Sequence, residues 1–177
     1  RWPSRTAPRS NAAARGSLHF MTELHTSAPP TRAKAVAWAQ SVAFDPRTVY
    51  LDTETTGLGS DAEIVDIAIV SRRGWVMLDS LVRPERPIPA AATAVHGITD
   101  EMVADAPTWG EIVEHVEDLL AGKLIVIYNA DYDVGIINQV SAAIGLDFIF
   151  EFVCAMKVFS QWDGMIGRYG DLKWHKL

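Results

Sequence analysis

Three strand-like runs follow one another closely, and this constrains the fold more than any other feature of the chain. "TVYLDTET" (48–55), "AEIVDIAIVSR" (62–72) and "GWVMLDSLVRP" (74–84) are rich in β-branched residues, and the last two meet at Arg73-Gly74. So short a joint predicts an antiparallel hairpin, because a parallel return needs a crossover of a dozen or more residues. "KLIVIYN" (123–129) is nearly all apolar and lies between two helical patterns, "TWGEIVEHVEDLLAG" and "ADYDVGIINQVSAAIG". That is the pattern of a parallel strand covered on both faces. "DFIFEFVCAM" predicts a fifth strand running into a further helix. "TRAKAVAWAQSVAF" predicts a helix ended by Asp45-Pro46. The expected class is an α/β sandwich with a mixed sheet, three antiparallel strands and then parallel ones, with helices on both faces. "RPERPIPAAATAVHGI" is expected to be an irregular connection, with Thr99 capping a short helix after it.

Asp52 and Glu54 stand two residues apart where the first strand ends. Side chains at i and i+2 of a strand share a face, so the two carboxylates lie side by side with no Lys or Arg next to them in sequence. Two solvated acids at a strand end would be unremarkable. Two crowded ones repel unless a cation neutralises both, and hard divalent ions prefer such oxygen ligands. Asp133 shares a helical stripe with Ile136, Ile137 and Val140, so it is expected to point inward and to join the pair in holding metal. Asp131, about 200° round the same helix, is expected to face solvent. Asp66 alternates with apolar neighbours and is expected to face the sheet's edge, with reach to the site as the alternative.

"DTETTGL", "VHGIT" and "YNADYD", in that order, resemble the DEDD-type 3′–5′ exonucleases similar to the proofreading epsilon subunit of bacterial DNA polymerase III. The resemblance runs from about Ala37 to the end of the chain. It implies a ribonuclease H-like fold and two Mg²⁺ or Mn²⁺ ions held by Asp52, Glu54 and Asp133. It also implies a pocket for terminal nucleotides lined by Thr55, Leu58, His96, Tyr128 and Tyr132, and two-metal phosphodiester hydrolysis at a DNA 3′ end. Single-stranded DNA is the implied substrate, RNA trimming is the alternative within the family, and a DNA polymerase subunit is the implied partner. A non-catalytic module that binds strand ends is the alternative outside the enzyme class.

The resemblance also requires a His, as base, with an Asp five residues after it. Neither Asp163 nor Asp171 has a His at that spacing, and His175 is expected to be an ordinary surface residue. The expectation is an exonuclease domain over 31–177, incomplete at its C-terminus and nearly inactive as it stands. Residues 1–30 are expected to be a leader or tag-like segment; the first twenty hold four Arg and no acid. Without those twenty the net charge moves from −6 to −10, the wrong sign for gripping a long duplex by its phosphates. His19 and His25 belong to the leader, and His115 is expected to be structural. One cysteine, Cys154, excludes an internal disulfide and suits a reducing, cytoplasmic setting; no apolar run is long enough to span a bilayer.

Overall fold

The computed structural model describes residues 32–148, 150–167 and 173. The expected leader with His19 and His25, together with Asp171 and His175, lies outside the described residues. Helix α1 (Arg32–Phe44) leads into strand β1 (Thr48–Thr55), and β2 (Ile64–Ser71) and β3 (Val76–Leu81) form the hairpin. Helices α2 (Ala90–His96), α3 (Asp100–Val103) and α4 (Trp109–Leu120) follow. Then come β4 (Leu124–Ile127), α5 (Ala130–Ala143), β5 (Phe152–Cys154) and α6 (Ala155–Asp163).

The sheet order is β3-β2-β1-β4-β5. The first three strands pair antiparallel, and β4 pairs parallel with both β1 and β5. Alternation assigns the two faces of β1. Val49 and Leu51 pack in one core with Ile67, Ile69, Trp109, Val113, Val116, Ile136 and Ile137, which places α4 and α5 on that side. Trp109 is anchored there by its indole N–H, which donates to Ser141 Oγ at 2.9 Å inside the core. The opposite face carries Thr48, whose hydroxyl donates to the Val42 carbonyl of α1 at 2.7 Å. Helix α1 therefore covers that face, with α6 packed beside it. The expected mixed sheet with helices on both faces is what the chain forms.

Two expectations need correction. The stretch after Pro89 is not irregular, because Ala90–His96 form a helix that ends at Gly97 in the left-handed region (φ 79°). The proline supplies the N-cap, and the helix buries no residue, so no apolar stripe announced it. Nor does Asp66 face an edge: β2 lies between β1 and β3, and Asp66 sits directly opposite Glu54. Among the described residues no helix is long and apolar enough to cross a membrane.

Candidate active site

Antiparallel register fills the α1-side face of the sheet with acids. Asp52 pairs with Ala68, which pairs with Asp79; Glu54 pairs with Asp66. Directly paired residues share a face, so Asp52, Glu54, Asp66 and Asp79 occupy one patch. Burial, followed by the nearby charges of Asp79, Glu54 and Asp52, pushes the Asp66 carboxyl up to about 6. Burial also raises that of Asp52. The sequence left Asp66 between edge and site because its partner lies across a strand pair; the period-2 run Asp66, Ala68, Val70 was the available signal.

Asp133 reaches β1 from α5, on the other side of the strand. It is 4% exposed, and its Oδ1 accepts from the Thr53 N–H (3.1 Å) and the Thr53 hydroxyl (2.7 Å). Burial pushes its carboxyl up to about 6 against the pull of Thr53, and the charge of Asp52 adds to the rise. Thr53, which sequence reasoning overlooked, thus orients the one deeply buried acid among the described residues. Asp131 faces outward as expected and pairs with Lys157 at 2.8 Å.

The expected pocket residues fall around these acids in different states. The hydroxyls of Thr55 and Tyr132 are hydrogen-bonded to each other, and Tyr132 donates to the Gly57 carbonyl at 2.6 Å. This ties the start of α5 to the loop after β1. Leu58 stands out from that loop, 88% exposed. His96 Nδ1 accepts from the Ile98 N–H at 3.0 Å, which assigns the ring proton to Nε2. That Nε2 is buried and has no partner among the described residues. Tyr128, half-buried at the end of β4, packs against the main core.

Among the described residues no three Asp, Glu, His or Cys side chains are gathered tightly enough to cage an ion. The donor chemistry nevertheless suits a divalent cation. Every candidate ligand is a carboxylate, burial holds Asp52 and Asp133 above their ordinary range, and the charge of Asp52 adds to the rise at Asp133, a penalty that a shared cation would relieve.

A family model described as "Exonuclease" matches residues 49–161, from the start of β1 into α6. The chain belongs to the exonuclease family. This exonuclease is 49% identical over 136 residues to an exonuclease, CP81, of Escherichia phage 186, with 73% of this chain and 70% of that protein covered. It is 32% identical over 118 residues to the DNA polymerase III epsilon subunit of Pasteurella multocida, covering 61% of this chain and 47% of the relative. It thus spans less than half of that subunit's length. A product-bound structure of exonuclease I superposes with a TM-score of 0.58 at 13% identity, covering 70% of this chain and 35% of the other. That likeness carries the fold alone, and the fold is ribonuclease H-like.

Proposed function

We propose that this exonuclease removes nucleotides from DNA 3′ ends by metal-dependent phosphodiester hydrolysis, with Asp52, Glu54 and Asp133 as the metal ligands. The observation that carries the reading is the strain on the carboxylates. A buried Asp133, lifted to about 6 by burial and by the charge of Asp52, reaches β1 at Thr53, between Asp52 and Glu54 in the strand, an arrangement that costs stability unless a cation joins it. Two Mg²⁺ or Mn²⁺ ions, when bound there, supply the activated water and the charge stabilisation for in-line displacement.

The chain's own residues do the rest. Thr53 holds one Asp133 oxygen through two hydrogen bonds and so fixes the direction of the other. The Thr55–Tyr132 pair stiffens the pocket wall, and Leu58 projects from it to wedge against a terminal base. The buried Nε2–H of His96 has no partner among the described residues, which supports a donor role toward the substrate. Leu58 and the tyrosine rings read no base edges, which suits an exonuclease indifferent to sequence. DNA is favoured over RNA by the similarity to a DNA polymerase subunit, and the same similarity motivates polymerase association and a cytoplasmic setting.

The test is digestion of matched 5′-labelled single-stranded DNA and RNA with Mn²⁺, by the wild-type chain and by Asp52→Ala. Shortening of the DNA from its 3′ end, lost in the variant, is expected. Internal cuts, or shortening from the 5′ end, would overturn the reading.

A further inference from the structure

The loop after β1 is closed at its base by a clasp that holding metal does not require. The Thr56 N–H donates to the Glu63 carbonyl, and the Glu63 N–H donates to the Thr56 hydroxyl, both at 2.9 Å. Between these residues the chain makes a tight excursion that carries Leu58 at its tip. Two anchors hold its far side: the Ala62 N–H donates to the Gly59 carbonyl at 3.1 Å, and Gln139 Nε2 of α5 donates to the Ala62 carbonyl at 2.6 Å.

The Glu63 carboxylate makes a second set of contacts, to a different segment. It accepts from the Glu85 N–H at 2.7 Å and from Arg86 Nε at 3.0 Å. Arg86 then returns to the loop, where its second nitrogen donates to Asp61 Oδ2 at 2.7 Å. The segment so held continues through Ile88, whose N–H donates to Asp100 Oδ1 at 2.9 Å, into α2, which ends at His96. An exposed ion pair alone is worth little. The Glu63 side chain, however, is only 17% exposed, and it receives a main-chain amide as well as a guanidinium. One carboxylate therefore joins the two segments that carry Leu58 and His96.

We propose that Glu63 is a positioning residue for the terminal nucleotide: through Arg86 and the Glu85 amide it keeps the Leu58 loop in register with the segment ending at His96. This rests on the proposed reading of Leu58 and His96 as substrate contacts. Glutamine at position 63 keeps an acceptor for one donor but loses the charge that pairs with Arg86.

The experiment is fluorescence anisotropy with a 5′-labelled oligonucleotide in Ca²⁺, in linear form and in circularised form without ends. Wild type is expected to bind the linear form more tightly. Glu63→Gln and Arg86→Gln are each expected to weaken that preference about 5-fold. The double variant should lose no more than the weaker-binding single variant, because the residues act as one unit. Ca²⁺ affinity should stay at its wild-type value, and the melting temperature should fall by no more than a few degrees. Wild-type end preference retained in Glu63→Gln would overturn the clasp and leave the proposed function standing. Equal weakening on linear and circular oligonucleotides, or loss that merely tracks a lower melting temperature, would also overturn it. A wild-type chain that ignores ends would sink the proposed function, and this inference with it.

Discussion

Replacing Asp133 with Asn should stabilise the metal-free protein at pH 8, although it removes a residue the site needs. Asparagine keeps an oxygen that can accept both Thr53 bonds while removing the charge that burial penalises. The carboxyl moves from an ordinary 3.8 to about 6 in the fold. The native state therefore holds a proton between those values that the unfolded chain has already released. Stability from this group is complete below about pH 4 and is lost as the pH rises through about 6. The full shift corresponds to about 3 kcal/mol, and solvent near the site reduces this to about 1–2 kcal/mol. For a chain of this size that is a rise in Tm of roughly 2–8 °C at pH 8. Thermal unfolding in a chelator at pH 8 and at pH 4 measures it: the variant should be the more stable at pH 8, and the gap should close at pH 4. Saturating Mn²⁺ should reverse the order, because ligand at 100 times its Kd adds about 2.7 kcal/mol to a protein that binds it. A variant less stable than wild type at pH 8 without metal would refute the reasoning, as would a gap of the same size at pH 4.

Three further outcomes follow from the same geometry. Thr53→Val removes the hydroxyl bond to Asp133 and should cost about 1–3 kcal/mol in urea unfolding at pH 8; a change near zero would mean that Thr53 does not orient the acid. Leu58→Ala should leave stability within about 0.5 kcal/mol of wild type. It should nevertheless weaken binding of a single-stranded 3′ end about 10-fold, as loss of a base contact does; equal affinity by anisotropy would exclude Leu58 from the pocket. Turnover of 5′-labelled DNA in Mn²⁺ should fall at least about 10-fold in Glu54→Gln, because the substitution removes a carboxylate from the acid pair. Full-speed laddering by the variant would contradict that.

The sheet was legible because its signals are local. Arg73-Gly74 forces the hairpin, "KLIVIYN" can only be buried on both faces, and the alternation in "VYLDTET" sets Asp52 and Glu54 on one side. The inward turn of Asp133 was legible from its helical stripe. What escaped was set by long-range partners. Asp66 joined the acidic patch only through its register with Glu54. Thr53 gained its importance from Asp133, eighty positions away, and Glu63 from Arg86. The helix at Ala90–His96 escaped for another reason: it buries nothing, so no periodicity marks it.

The metal-holding role of Asp52 is tested most directly by titrating the chain with Mn²⁺ and following free Mn²⁺ by electron paramagnetic resonance, for wild type and Asp52→Ala. Loss of one carboxylate ligand should weaken binding at least about 10-fold. Identical isotherms for the two proteins would contradict it.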